Sequence, residues 1–346
     1  MKLNKSQSLF LKNMIDKWQK DQLLSSEKAN ELKSNISISG FDWKKLASYA
    51  FGIAISCIAI SLLLLVSDAD LQSLITKLGR TPNHIFFSFF SIISIVLYYL
   101  GIKRQRTKSQ FQFSNEALLF GGVLSTAGAI IFFGKMMDNG SQHFSILLLI
   151  STIIYLVLGW LVKSKQIWIF GLISLAGWFG TETAYQTDWS NYFMGMNYPL
   201  RFMFFGAILF TVFQFLKHIK SFEIFYNVST SIALLYLFCS LWLLSIFGNY
   251  GDIDSWYSSD ASEHVLWMLI LAFIAGGFLF HGLKYGYDKH REFGIFFIII
   301  NIYSRYFEFF WAPMHKTIFF AILAISFWLI GRRAERFWLK KSKSIN

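Results

Sequence analysis

The sequence is poor in the residues on which soluble enzymes, disulfide scaffolds and metal sites depend. Charged residues make up 15% of the 346 positions, proline occurs three times and cysteine twice. Cys57 and Cys239 each lie inside an apolar stretch, where a lone thiol usually serves as a small hydrophobic side chain. With no paired-cysteine or Cys/His spacing, the chain predicts neither a disulfide framework nor a metal site.

Sequence motifs of well-known catalytic sites are also lacking. No His-Glu-x-x-His or Gly-x-Ser-x-Gly segment occurs, and no two of the seven histidines stand four residues apart. Gly134 and Lys135 are followed by Met136, whereas a phosphate-binding loop has Ser or Thr at that point. We therefore expect a protein that is not an enzyme, with no cofactor and no metal.

Apolar residues, by contrast, are abundant and come in long blocks. Hydrophobic residues make up 55% of the chain and aromatic residues 19%, which lies outside the range of soluble domains. About ten blocks result, at 46–66, 84–102, 117–134, 144–162, 166–185, 200–216, 224–247, 264–283, 293–310 and 316–331. Because a helix satisfies its own backbone groups in lipid, these blocks predict spanning helices rather than a β-barrel. The predicted fold class is all-α, a polytopic transmembrane helical bundle of about ten spans.

Basic residues are distributed unevenly between the loops. Of the 32 Lys and Arg residues, 26 fall in the terminal segments and alternate loops on one side of the predicted spans, and five on the other. By the positive-inside rule, this distribution places the N-terminus and the C-terminus in the cytoplasm. The net charge of +12 is therefore attributed to topology and not to a nucleic-acid partner. Lys44 and Lys45 directly precede the first block, so the first span is expected to act as an uncleaved targeting signal.

The region before the first block is polar but contains helical patterns. Leu11, Met14, Ile15 and Trp18 recur at the spacing of one helix face, and Ser25 is placed to cap a second short helix. The resulting hairpin is either a docking or sensing module for a protein partner, or an interfacial anchor on the lipid bilayer. Three regions follow: 1–42, a cytoplasmic amphipathic helical hairpin; 43–338, the transmembrane bundle; and 339–346, a basic cytoplasmic tail.

Polar residues inside the predicted spans are the candidate functional groups. Asn301, Arg305 and Glu308 share one face of the ninth span, and an unpaired charge at mid-membrane costs about 2.5–3.5 kcal/mol on insertion scales. Arg305 and Glu308, three residues apart, are therefore expected to pair. They form either an anion or proton site facing a cavity, or an ion pair that fixes helix packing. Glu182, near the outer end of the fifth span, either joins this site or is simply interfacial.

Small residues in two spans predict close contacts between helices. Gly121, Ser125 and Gly128 form a stripe on the third span, and Gly276, Gly277 and Gly282 lie in the eighth. Two halves of five spans would also be compatible with an inverted repeat of the kind found in transporters, although no residue-level repeat is visible.

Three stretches of the chain carry a family resemblance. They are the N-terminal hairpin with the first span, the segment Asn115–Ala117 before the small-residue stripe, and the end of the chain. There Arg291–Gly294 opens the span that contains Arg305–Glu308, and Thr317–Phe320 and a basic tail follow. Together they resemble the domain of unknown function 2157 family of predicted bacterial membrane proteins. The resemblance implies a multi-pass protein of the bacterial inner membrane and supplies no catalytic residues.

Two functions are compatible with these features. The first is a non-enzymatic membrane scaffold or sensor that acts through the cytosolic hairpin. The alternative is a transporter or permease for a small solute or ion that uses the intramembrane Arg305 and Glu308. A water-accessible cavity that reaches Arg305 would favour transport, whereas a filled bundle would favour the scaffold.

Overall fold

Helices account for nearly all of the secondary structure in the computed structural model of the chain. The structure describes residues 2–3, 5–34, 37–38, 53, 82–107, 112–137, 143–259 and 261–344. The predicted helical class is confirmed. The chain divides into two units, residues 1–137 and 138–346, which are described separately. The elements of the first unit are β1 (Lys2–Leu3), α1 (Lys5–Lys20), α2 (Ser26–Ser34), β2 (Ser37–Ile38), α3 (Asn83–Thr107) and α4 (Gln112–Met137).

The N-terminal region of the first unit folds into a helical hairpin. Ile15 on α1 and Ala29 on α2 are almost completely buried against each other, with Leu11 packed beside them. The backbone N–H of Lys28 donates to Ser25 Oγ over 3.4 Å at the start of α2, and Lys33 forms an ion pair with Asp16 across the hairpin. The two-residue strands β1 and β2 pair in parallel. The hairpin thus closes around a very small apolar core.

Helices α3 and α4 form a closely packed antiparallel pair in the same unit. The hydroxyl groups of Ser94 and Thr126 share a 2.6 Å hydrogen bond, and the Thr126 hydroxyl also donates to the Gly122 carbonyl. Small residues on α4 allow this approach, because a Cβ added at Gly122 would lie 2.7 Å from the Tyr98 ring. Polar groups placed between helices in this way stabilise helix pairs in a lipid environment.

The second unit consists of helices joined mostly by short loops. Its elements are α5 (Ser145–Val162), α6 (Lys165–Tyr185), α7 (Tyr198–Leu216), a 3₁₀ turn (Lys220–Phe222), α8 (Glu223–Phe247), α9 (Ile253–Tyr257), α10 (Ala261–Tyr285), α11 (Asp288–Phe310) and α12 (Lys316–Ser344). Local chemistry sets several helix starts. Ser164 accepts a hydrogen bond from the backbone N–H of Ile167 before α6, and Asn197 accepts one from Leu200 before α7.

Helix α8 is the centre of this unit, since it contacts α6, α7, α10 and α11. Leu234, Phe238 and Leu241 on α8 are fully buried, together with Leu271 on α10 and Phe297 on α11. A second cluster places Trp168 of α6 against Phe225, with ring centroids 4.5 Å apart. The packing of α8 therefore fixes where the polar face of α11 lies.

Eight helices in the described part of the chain are long and apolar enough to cross a membrane. They coincide with eight predicted blocks, from 84–102 to 293–310. Many of their large apolar side chains are exposed, including Phe273 at 84% and Phe215 at 75%. Such surfaces would be unfavourable in water and fit a lipid environment. The block 46–66 lies outside the described residues except for position 53, and the block 316–331 forms part of α12. The count of ten spans and the orientation of the termini therefore stay predictions.

Candidate functional site

The polar face of α11 lies against the end of α8. Arg305 and Glu308 form an ion pair, in which the side chain of Arg305 is 11% exposed and that of Glu308 is 40% exposed. Arg305 Nη2 also donates to the Ser245 carbonyl over 2.7 Å. Ser245 lies in the last turn of α8, where carbonyl groups have no partner within the helix. Arg305 thus ties α11 to the C-terminal end of α8.

Asn301, one turn before Arg305, connects α11 to α10. Its side chain is 5% exposed, and Nδ2 donates to the Met268 carbonyl over 3.1 Å. Asn301 Oδ1 and Arg305 Nε are both buried, and neither has a hydrogen-bond partner among the described residues. The three polar residues predicted on one face are therefore each held by a neighbouring group, but two of their atoms stay unsatisfied.

Two serines and a tryptophan complete this polar cluster, and sequence reasoning missed them. Trp242 Nε1 donates to Ser304 Oγ over 2.8 Å, between α8 and α11. The Ser245 hydroxyl donates to the Trp242 carbonyl over 2.7 Å. The one feature of the sequence that could have indicated them is that polar groups inside an apolar span need hydrogen-bond partners. We call Trp242, Ser245, Asn301, Ser304, Arg305 and Glu308 the α8–α11 polar cluster.

A cavity of about 440 Å³ lies beside α11, between it and α12. Its lining is mostly apolar, with Ile302 and Tyr303 on α11 and Ile322 and Ser326 on α12. Neither Arg305 nor Glu308 lines it. The cavity therefore offers no direct route from the surface to the Arg305 guanidinium.

Glu182 belongs to a different cluster. Its carboxylate accepts hydrogen bonds from Ser145 Oγ at 2.5 Å and Gln186 Nε2 at 3.0 Å, and it lies 3.1 Å from His143 Nε2. The His143 ring stacks on Tyr185 with centroids 3.8 Å apart. None of these partners belongs to α11, so the prediction that Glu182 joins the Arg305 site receives no support from its contacts.

Arg201 is the most deeply buried charged residue in the described part of the chain, at 1% exposure. Arg201 stands at the start of the predicted block 200–216, and in the structure it lies in the first turn of α7. Its guanidinium donates to the carbonyls of Met196 and Asn191 and to Thr183 Oγ1, over 3.0, 2.7 and 3.2 Å. It also lies 4.4 Å from the centroid of the Tyr198 ring. No ion pair with a carboxylate forms among the described residues, so Arg201 is held by neutral acceptors and an aromatic face.

The predicted small residues differ in their surroundings. A Cβ added at Gly121 would lie 3.2 Å from Leu97, and one at Gly128 would lie 3.0 Å from Phe90, while Ser125 is buried. Apart from the surrounding turns of α10 itself, no described residue lies within 4 Å of a Cβ at Gly276 or Gly277, so these two make no close contact with another helix there. The closest approaches to a neighbouring backbone are at Gly206, Gly282 and Gly294, where an added Cβ would lie 2.4, 2.5 and 2.7 Å from backbone atoms. Of these three, only Gly282 was among the small residues predicted to form helix contacts.

Asp252 caps the short helix α9, which begins at the next residue. The Asp252 carboxylate accepts hydrogen bonds from the backbone N–H of Ser255 at 2.7 Å and from its hydroxyl at 2.8 Å. These bonds hold the pKa of Asp252 below its usual value. The described residues contain no group of three or more His, Cys, Asp or Glu side chains that could hold a metal ion.

Comparison with protein-family models, with curated proteins and with solved structures gives no match for this chain. The resemblance to the domain of unknown function 2157 family therefore stays a prediction. What is established is a helical protein with eight apolar helices of membrane-spanning length in its described part.

Proposed function

We propose that this chain is a non-enzymatic, multi-pass protein of the bacterial inner membrane that scaffolds or senses through its cytosolic N-terminal hairpin. The proposal rests on the outer surface of that hairpin. Phe10 is 59% exposed, Leu23 73% and Leu32 44%, although the hairpin has already closed around Ile15 and Ala29. Apolar side chains left outside on so small a folded element are typical of a surface that binds a partner.

The surroundings of Arg305 also favour a scaffold over a transporter. Its guanidinium contacts Glu308 and the Ser245 carbonyl, and the neighbouring cavity is lined by other residues. Helices α8, α10 and α11 meet in a cluster whose members are almost fully buried. A transport pathway would need an opening where these side chains pack.

The alternative, a transporter or permease for a small solute or ion, is supported by two buried atoms. Arg305 Nε is a donor and Asn301 Oδ1 an acceptor, one helical turn apart on the same face, and both are unsatisfied. Unsatisfied buried polar atoms cost free energy in a packed bundle and are frequent at functional sites. A rearrangement that brought water to them would satisfy both, because a water molecule can accept from Arg305 Nε and donate to Asn301 Oδ1.

Site-specific photo-cross-linking in cells tests the scaffold. A photoreactive residue at Leu32 should yield a discrete adduct with a protein, because this side chain is apolar and exposed. The matched control is Asn30, an exposed polar residue on the same helix, which should yield none. Lipid adducts alone at Leu32 would instead identify the hairpin as a membrane anchor, and equal protein adducts at both positions would argue against a specific surface.

A further inference from the structure

Helices α11 and α12 are held together at a few points, with an apolar groove between them. The Tyr306 hydroxyl donates to the Phe319 carbonyl over 2.8 Å, and the Tyr303 and Ser326 hydroxyl groups share a 2.8 Å hydrogen bond. The Tyr303 ring stacks on Phe327, with centroids 4.6 Å apart. The hydroxyl groups of the groove thus already have hydrogen-bond partners on α11 or α12, so they leave few hydrogen bonds for a polar solute.

The groove has the size and shape of a site for a chain-like apolar ligand. Its volume is about 440 Å³, within the range of roughly 300–1,000 Å³ that is typical of small-ligand sites. On α12 its lining runs from Ile322 to Arg333, a length of roughly 16 Å at 1.5 Å per residue. Ile302 and Leu329 on its rim are 61% and 49% exposed. Because α11 is one of the apolar helices of membrane-spanning length, exposed apolar side chains on this rim are suited to contact with lipid chains.

A positive charge marks one end of the groove. Arg333 lines it and is exposed, and no carboxylate among the described residues pairs with this guanidinium. The neighbouring Arg332 does not line the groove, since its guanidinium lies 5.3 Å from the centroid of the Trp328 ring. An apolar slot with one free guanidinium at its end is complementary to an acyl chain that carries an anionic head.

We propose that the α11–α12 groove binds one acyl chain of an anionic phospholipid, whose phosphate is held by Arg333. The acyl chain lies along Ile302 and Ile322, and the phosphate receives hydrogen bonds from the guanidinium of Arg333. This site is separate from the N-terminal hairpin and does not depend on the proposed scaffold function. A lipid bound here would fill the space between the two helices and stabilise the packing of α12 against α11.

Native mass spectrometry of the full chain, released from non-ionic detergent, measures this binding. The protein is given equal amounts of phosphatidylglycerol and phosphatidylcholine, and the ratio of the two retained lipids is recorded. We expect phosphatidylglycerol to be preferred. Arg333→Gln should lower that preference about fivefold, which is the effect expected when one basic residue near an anionic headgroup is lost. The matched control Arg332→Gln should keep the parent ratio. Ile302→Trp, at an exposed position on the rim, should lower retention of both lipids.

Three results would overturn the proposal. Equal retention of the two lipids by the parent protein would show that the site does not select an anionic headgroup. Equal effects of Arg332→Gln and Arg333→Gln would show a general attraction of anionic lipid to basic residues and no specific contact with Arg333. Displacement of phosphatidylglycerol by an equal concentration of inorganic phosphate would show a soluble-anion site without an acyl chain. A melting curve for each variant confirms that the protein compared is folded, and both arginine positions are exposed.

Discussion

At the scale of single residues, the Arg305–Glu308 pair has two unequal members. Arg305 is largely buried, and Glu308 is 40% exposed. A guanidinium keeps its charge under all ordinary conditions, whereas a carboxyl group can take up a proton when its partner is lost. Breaking a buried pair is therefore costly mainly when the charge that remains cannot be neutralised.

We expect Glu308→Leu to destabilise the protein by about 1–3 kcal/mol, because it leaves Arg305 without its counter-charge. Arg305→Leu should cost less, since Glu308 is nearer to solvent. The double Leu variant should recover much of the stability of the parent. Thermal unfolding in detergent gives the order of the three variants.

The double variant also separates the two candidate functions. If the pair is only structural, the double variant should be as stable as the parent and should also complement any phenotype of a deletion strain. Recovered stability without recovered phenotype would support a transport site. If all three variants melt like the parent, the pair contributes nothing to the bundle, and the expectation is wrong.

Arg201 should be more sensitive than its position at a predicted helix end suggests. Arg201→Lys keeps the charge, but a single ammonium group cannot reproduce the planar fork that reaches Met196, Asn191 and Thr183. We expect a loss of at least about 2 kcal/mol. The control Lys165→Gln, at an exposed position, should change stability by less than about 0.5 kcal/mol. The melting temperatures of both variants are measured in the same detergent. Equal values for the two would contradict the expected role of Arg201.

At the scale of elements, glycines decide how closely α10 and α11 approach. A Cβ at Gly294 would lie 2.7 Å from the Ala275 carbonyl oxygen and 2.7 Å from the Leu279 nitrogen, both backbone atoms. We expect Gly294→Ala to force the helices apart and to cost about 1–3 kcal/mol. Gly277→Ala is the matched control on α10, where no described residue outside the surrounding turns of that helix lies within 4 Å of the new methyl group.

The control substitution should be neutral or stabilise the protein by about 0.5–1 kcal/mol, since alanine favours a helix interior over glycine. The difference between the two melting temperatures is the measurement. A destabilising Gly277→Ala would show that this face of α10 is covered by a part of the chain or a partner that the described contacts do not include.

The N-terminal hairpin is expected to be dispensable for insertion. Lys44, Lys45 and the first predicted span retain the targeting information when residues 1–40 are deleted. The truncated chain should therefore fractionate with membranes in the same amount as the full chain, while protein adducts formed through the hairpin are lost. Failure of the truncated chain to reach the membrane would assign the hairpin to biogenesis.

At the scale of the whole molecule, the predicted topology rests on the division of basic residues between alternate loops. After replacement of Cys57 and Cys239, single cysteines at Ser109 and Ser344 should be shielded from an impermeant reagent in intact cells, and one at Ser258 should react. Ser258 is exposed, so its reaction depends only on the side of the membrane. Labelling of all three positions from outside would contradict the ten-span scheme.

The helical fold and the position of eight apolar helices of membrane-spanning length follow from the sequence alone. These properties are local, because block length, hydropathy and caps such as Asn197 are set by residues next to one another. The candidate face of Asn301, Arg305 and Glu308 was predictable for the same reason, since helical spacing places the three residues together.

Only the tertiary structure decided what those residues touch. Arg305 donates to the carbonyl of Ser245, 60 residues away, and Arg201 to Thr183, 18 residues away. Such partners depend on which helices pack together and on how the helices are shifted along their axes. In lipid, the hydrophobic effect does not favour one apolar helix face over another as a packing surface. Small residues, hydrogen bonds and the shapes of side chains choose the pairs. These terms act between distant segments, and for that reason Gly294 forms a close contact while Gly277 does not.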